Sequence, residues 1–411
     1  MTNENDKPSS TSHSAPVRQI IGNAVIAVLS EAGIGKLTHR AVAKAAGISL
    51  SVTTYYYATK ADMLADASQR LMDGYLSRFR SIARDHRHGK RPVLALEVFS
   101  TLLVMNAAGA HRTSTTAWYE IILNSPRSRE GTKRASKWFS ELLDIWSDLA
   151  AAMGEESDPA RIQNAIDRVV GLQLMVIALR LTKEQVSAVA AGSDPVAAWQ
   201  LPAELKPADA EPPQKLDNSK TRILQAAIDL LIEEGPGSVS YRKIAERTGA
   251  AQSAPAYYFG SISDLLNAAQ IELFRSSKTR YRKHTSENPN RNQSISDIAD
   301  LTTAIIIREA TEFGLNSVAH YSLWLEAGRN DRLRPDVQLA IRDQIFAWKR
   351  RLSLVMPTSN NTALYFQAQF LGQLIRLIAT GAEISALSDI RHLHFQSLET
   401  QLKSMRSGET S

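Results

Sequence analysis

One segment of this chain occurs twice. The run IIGNAVIAVLSEAGIGKLTHRAVAKAAGISLSVTTYYYATKADMLADA, from Ile20, aligns without a gap on RILQAAIDLLIEEGPGSVSYRKIAERTGAAQSAPAYYFGSISDLLNAA, from Arg222. At this single offset of 202 positions, Gly33 pairs with Gly235, Gly47 with Gly249, Tyr55 with Tyr257, Tyr56 with Tyr258 and Asp62 with Asp264. Glycines, hydroxyl residues and aromatics all recur together, which chance seldom arranges. The repeat reads as a duplication, so the chain must fold as two like units joined by whatever lies between them.

Both copies carry helical periodicity. Ile21, Ala24, Val25, Val28 and Leu29 form an apolar stripe that Ile223, Ala226, Ala227, Leu230 and Leu231 repeat. Gly33 and Gly235 can end that first helix in a left-handed conformation. Thr38 and Ser240 are suitable N-caps for a short second helix, which Gly47 and Gly249 close. A third helix must hold the tyrosines. Thr59 with Asp62, and Ser261 with Asp264, announce a fourth. Downstream, 138–153, 161–181, 341–355 and 364–377 also keep a helical period, and no convincing alternation of period two exists. The expected fold class is all-α.

Prolines and acidic residues between the copies, in SDPVAAW and LPAELKPADAEPPQKLDNS, mark a semi-extended linker. The expected organisation is a flexible tail over 1–15, a first head over 16–60 and a helical regulatory domain over 61–190. A linker over 191–218, a second head over 219–262 and a second helical domain over 263–405 follow. The polar N-terminus lacks the pattern of a signal peptide, and no apolar run is long enough to cross a bilayer, so a cytoplasmic protein away from membranes is expected. The chain has no cysteine, which excludes disulfides, thiolate metal sites and cysteine nucleophiles. Its net charge of +6 permits a polyanionic partner without requiring one.

Two short helices joined at a glycine turn are the skeleton of a helix-turn-helix, whose second helix enters the DNA major groove. In the first copy Ser49 can cap that helix. Ser51, Thr53 and Thr54 are short enough to approach base edges. Tyr55 and Tyr56 can donate to phosphates, and Thr38, Arg40 and Lys60 flank them. Contacts of this kind position a protein on the duplex. The matching residues of the second copy are Ser240, Arg242, Gln252, Ser253, Ala256, Tyr257 and Tyr258.

With these residues in view, both copies resemble the DNA-binding domain of the tetracycline-repressor (TetR/AcrR-like) family. The pattern stands here as Gly33, Thr38, Val42-Ala43, Gly47, Tyr55, Tyr57 and Lys60, and again as Gly235, Ser240, Ile244-Ala245, Gly249, Tyr257 and Phe259. Weaker likenesses to the family's regulatory helix follow at Trp118 and Trp324, where Glu120 and Glu326 stand in corresponding places. The resemblance implies a repressor that releases its double-stranded DNA operator when a small-molecule effector enters the helical domain. Family members pair two subunits, so this chain is expected to be an intramolecular pseudo-dimer, open to further dimerisation. Its two heads then reach major grooves about 34–36 Å apart.

The copies differ where they would touch DNA. Ala251 replaces Ser49, Pro255 replaces Thr53 and Ile262 replaces Lys60. A proline deep in a helix is disfavoured, so the cap should move to Ser253 with Pro255 in the first turn, and the second recognition helix should be shorter. The heads should then read different half-sites, or the second should bind more weakly. The tryptophans 118, 138, 146, 324 and 348 read as core or interface before ligand box. His392-x-His394 would face two ways on a helix, so neither metal nor cofactor is expected. No phosphate loop or nucleophile elbow supports an enzyme. The competing reading is a helical ligand-binding or protein-interaction module whose heads no longer bind DNA.

Overall fold

The computed structural model of the chain describes residues 11–408 apart from 93, 156–157, 203–217, 287–293 and 382–386, and it has no strand among them. The first unit opens with α1 (Thr11–Ala32), α2 (His39–Ala46) and α3 (Leu50–Tyr56). It continues with α4 (Lys60–Arg87), α5 (Leu96–Ala108), α6 (Arg112–Asn124), α7 (Arg129–Ala152) and α8 (Pro159–Leu179), then the short α9 (Lys183–Ala190) and α10 (Pro195–Ala198). The second repeats the order as α11 (Asn218–Glu234), α12 (Tyr241–Thr248), α13 (Ala254–Phe259), α14 (Ile262–Ser286), α15 (Ile295–Thr311), α16 (Gly314–Ala327), α17 (Arg334–Leu352) and α18 (Asn360–Ala379). A last helix, α19 (Ile390–Gly408), closes the chain.

The local signals act as the sequence suggests. Thr38 accepts from the Ala41 amide and Ser240 from the Lys243 amide, capping α2 and α12. Gly47 and Gly249 both close those helices in the left-handed region. Thr59 and Asp62 form a reciprocal capping box on α4, and Ser261 with Asp264 repeats it on α14. Gly33 and Gly235 also take positive φ, but with ψ extended rather than left-handed helical, so the chain swings out sharply after α1 and α11.

Where the elements begin differs at two places. α1 starts at Thr11, inside the stretch expected as a tail, with Pro16 within the helix; residues 1–10 of that tail lie outside the described residues. The expected linker is packed over its first part. After α9, Asp194 caps α10, and Trp199 and Leu201 are buried, because apolar side chains in SDPVAAWQL find the flank of the bundle before the proline-rich stretch begins. The remainder, 203–217, lies outside the described residues.

α8 and α18 pack along each other through the middle of the molecule and are buried over most of their length. The approach is close because each presents a glycine to the other's backbone. Gly171 sits on the Ala368 carbonyl, and Gly372 sits on the Asp167 carbonyl. One ion pair fixes the register. The Arg376 guanidinium straddles the fully buried Asp167 carboxylate with two bonds of 2.8 Å. Among the described residues α8 is the one helix long and apolar enough to span a membrane, and most of it is enclosed by protein. One apolar core runs from α4 to α19 and takes in the second head, whereas the first head keeps a small core of its own around Ile21, Leu29, Leu37, Val42 and Met63.

Candidate nucleic-acid interface

The first head offers α3 to solvent on one face. Ser49, Ser51, Thr54 and Tyr55 are exposed, and Tyr56 is half-buried with its ring edge-on to Tyr55. Tyr55 is 83% exposed. A tyrosine so placed buries almost nothing within the head, which leaves the phenol free for a partner. Arg40 and Lys44 on α2 are exposed beside it, and neither makes an ion pair among the described residues. Behind this face, Tyr57 is buried and donates to Asp66 at 2.8 Å. Burial, then the Asp66 carboxylate, holds that phenol above its usual range. Tyr57 is therefore core.

Three residues expected to face DNA are committed elsewhere. Thr53 is 0% exposed and donates to the Leu50 carbonyl at 2.8 Å, on the side of α3 turned away from solvent. Ser49 occupies the N-cap position of α3 without capping it; its hydroxyl meets that of Ser51 at 2.8 Å. Lys60 stays exposed, and its ammonium donates to the Ile34 carbonyl at 2.6 Å. Burial lowers its pKa, which Glu120 nearby partly offsets. Thr38 spends its acceptor on a cap, although it stays exposed.

The second head repeats the layout with a different surface. Gln252, Ser253 and Tyr257 are exposed, Ala256 and Tyr258 are half-buried, and Tyr257 is again 83% exposed. α13 has six residues against seven for α3, with Ser253 at its N-cap position and Pro255 in its first turn, although the Ser253 side chain makes no capping bond. Ser240 is half-buried in its cap. The charge pattern also differs. Arg242 pairs with Glu246 at 2.8 Å, Arg247 with Glu233 at 2.6 Å, and Lys243 with Glu234. Glu246 stands where the first head has Lys44, so the face that is open and cationic in one head is neutralised in the other.

The heads meet. Gly35 and Gly237 lie backbone to backbone, so close that a Cβ on either would overlap the other's Cα. Beneath them two arginines cross between the units. Arg329 donates to the carbonyls of Leu29 at 3.0 Å and Ser30 at 2.8 Å, at the end of α1. Arg127 donates to those of Leu231 at 3.1 Å and Ile232 at 3.4 Å, at the end of α11. Glu120 is buried, pairs with Arg329 at 2.6 Å and accepts from the Ile34 amide at 2.9 Å. The correspondence of Trp118 with Trp324, and of Glu120 with Glu326, does not hold: the crossing arginines keep the offset of 202, which sets Trp118 against His320 and Glu120 against Ser322. Neither arginine stood out in the sequence, because nothing local marks a side chain that caps a distant helix.

Below the first head lies a cavity of about 410 Å³ between α4, α5, α6, α7 and α8. Tyr75, Phe79, Trp118, Trp138 and Trp146 wall it, with Arg78 and His111 at one side. These tryptophans are buried, as expected of core, and also line the cavity. Trp138 donates to Ser68 and Trp146 to Tyr75, both at 2.9 Å, while the Trp118 indole N–H is buried without an acceptor. In the second unit the positions matching Arg78, Thr115 and Trp118 are Arg280, Ser317 and His320. There Arg280 pairs with the buried Glu309 at 2.7 Å, and Ser317 donates to the same carboxylate. His392 is exposed and His394 buried, as opposite faces of α19 require, and no group of metal-ligating side chains occurs among the described residues.

Residues 223–269, from α11 into α14, match the model of bacterial regulatory proteins of the tetR family. The matched copy is the second one. Curated relatives include uncharacterized HTH-type transcriptional regulators of Mycobacterium bovis and of two strains of Mycobacterium tuberculosis. Each is 29% identical over 126 residues, which is 30% of this chain and 61% of the relative. The chain thus spans less than two thirds of the length of the curated relatives it matches.

Proposed function

The chain carries the helix-turn-helix domain of TetR-family transcriptional regulators at residues 223–269, and from that premise we propose that it is a cytoplasmic, ligand-responsive repressor, not an enzyme, whose two non-identical heads bind one double-stranded DNA operator. In this reading the chain is a tandem fusion in which 16–60 and 219–262 are the heads, 61–190 and 263–405 the regulatory domains and 191–218 the connection. The observation that carries it is the pair Tyr55 and Tyr257. Each is exposed to the same extent, at the same place on the second helix of its motif.

The first head makes the stronger electrostatic contact, through Arg40, Lys44 and Tyr55, with Ser51 and Thr54 at base edges. The second reads through Gln252, Ser253 and Tyr257 with its cations already paired. Holding both heads in one chain makes their pairing independent of concentration and releases the operator from palindromy.

The effector enters the aromatic cavity of the first unit. The unpartnered Trp118 N–H supplies a hydrogen bond, and the aromatic walls select a flat apolar molecule. A ligand that prefers one placement of α4 and α6 shifts the heads by its differential affinity alone. The second unit, filled at that place by Arg280 and Glu309, follows through the crossing arginines.

A gel-shift against the DNA flanking the gene, with salt varied, tests the reading. A specific shift that weakens steeply with salt is expected. Tyr55→Ala should weaken it more than Tyr257→Ala. No shift at low salt would return the chain to the class of helical binding modules.

A further inference from the structure

A second cavity, of about 710 Å³, opens away from the heads, where α5, α8 and α9 of the first unit meet α18 and α19 of the second. Val104, Leu172, Val189, Trp199 and Phe366 give it apolar walls. Its charged groups are compensated with one exception. Arg161 pairs with Glu155 at 2.7 Å and Glu97 at 3.4 Å. Asp158 caps α8 and accepts from Gln396. Asn164, Gln369 and Ser397 bond to one another along the floor.

The exception is Arg168. Its guanidinium lies over the Tyr365 ring at 5.8 Å, its Nε is buried without an acceptor, and it makes no hydrogen bond or ion pair among the described residues. Glu97 makes no ion pair with it and stands 3.4 Å from Arg161 instead. Burial also lowers the Arg168 pKa, which the charge of Glu97 partly offsets. A guanidinium at the edge of an apolar cavity, with its Nε buried and unbonded, is costly, and its planar fork fits a carboxylate with two parallel bonds.

We infer that this cavity binds a small monocarboxylate with an apolar body, its carboxylate on Arg168 and its chain among Val104, Leu172, Val189 and Trp199. The site lies on the seam between the units, and Val169 on α8 lines both it and the aromatic cavity. A molecule there ties α8 to α18 and acts on both units at once. This site stands whether or not the heads bind DNA.

Calorimetry on the full chain with octanoate, and octan-1-ol as the uncharged control, tests it. Expected are one octanoate site per chain, at least tenfold weaker binding of octan-1-ol, and at least tenfold loss of octanoate affinity in Arg168→Gln. Arg168→Lys keeps the charge without the fork and should lose less than tenfold. Thr101→Trp, from the α5 wall, takes up part of the cavity and should weaken octanoate binding at least tenfold. Octanoate affinity unchanged in Arg168→Gln or in Thr101→Trp, or equal binding of the alcohol, overturns the assignment.

Discussion

Arg127 and Arg329, 202 positions apart, each cap the opening helix of the other unit's head. Helix C-termini leave carbonyls without intrahelical partners, and here both ends are satisfied by a guanidinium from the opposite unit. Neither head therefore has its resting position set by its own unit alone. Gly35 against Gly237 adds a second tie above the arginines. A shift in α6, which carries Glu120, is transmitted to Arg329, to the Ile34 turn and so to α1.

Arg329→Ala should be the costlier of the two truncations. It strands the buried Glu120 carboxylate and two carbonyls at once, and leaving a buried charge unpaired costs about 2–4 kcal/mol. Arg127→Ala removes bonds to neutral carbonyls only, and should cost about 1–2 kcal/mol. Urea unfolding of both variants checks the order. Equal losses would mean that Glu120 finds another cation.

The α8–α18 contact makes a prediction of sign. Alanine is normally better than glycine inside a helix by about 1 kcal/mol. At Gly171 and Gly372 the added methyl would overlap a carbonyl oxygen of the facing helix, so each substitution to alanine should destabilise by about 1–3 kcal/mol. Gly74, inside α4 with nothing near its absent side chain, should instead gain about 0.5–1 kcal/mol on the same change. Thermal unfolding of the three variants must show opposite signs.

Acid should weaken the fold through two histidines. His320 is buried among Phe274, Tyr321 and Trp324, with both ring nitrogens unpartnered. Burial, with Arg280 nearby, pushes its pKa down to about 3. His394 is lowered to about 3 by burial alone. Both stay neutral in the folded protein below about pH 6.5, where the unfolded chain takes up protons. Stability therefore falls as pH drops through that value and levels off near 3. Between pH 7 and pH 5 each histidine should cost about 2 kcal/mol. Replacing His320 with phenylalanine should remove about 2 kcal/mol of the acid-induced loss, read as the difference in urea midpoint between the two pH values.

Much of this architecture is legible in the sequence because it is written locally. A cap, a glycine with positive φ and an apolar stripe each act within one or two turns, so Thr38, Gly47 and the α1 stripe fix their helices wherever they sit. The exposed tyrosines follow from the same spacing. What cannot be read is anything decided by a distant partner. Thr53 looks like a groove-facing hydroxyl, but in the folded head it is fully buried and bonded to the Leu50 carbonyl. Lys60 looks like a phosphate cation until the Ile34 carbonyl claims it. Arg127, Arg329 and the Asp167–Arg376 pair carry no local signature, and the packed stretch after α9 looks like linker because its apolar residues are few. The false correspondence of Trp118 with Trp324 came from a short local likeness that broke the offset kept by the heads and by the crossing arginines.

The unequal charge on the two heads yields the sharpest test of the DNA reading. Lys44 is free on α2, whereas Glu246 holds the same place on α12 and pairs with Arg242. Glu246→Lys should release Arg242 and add a second cation. Neutralising each additional phosphate steepens the fall of log K with log salt by about 0.9, so the variant should steepen that slope by about 2. Its affinity should rise most at low salt. Lys44→Glu in the first head should flatten the slope by about 1, or by about 2 if the new carboxylate captures Arg40 as Glu246 captures Arg242. Fluorescence anisotropy on one labelled duplex between 50 and 200 mM salt measures both. Slopes unchanged in both variants would mean that α2 and α12 do not lie along a phosphate backbone, and the exposed tyrosines beside them would need another partner.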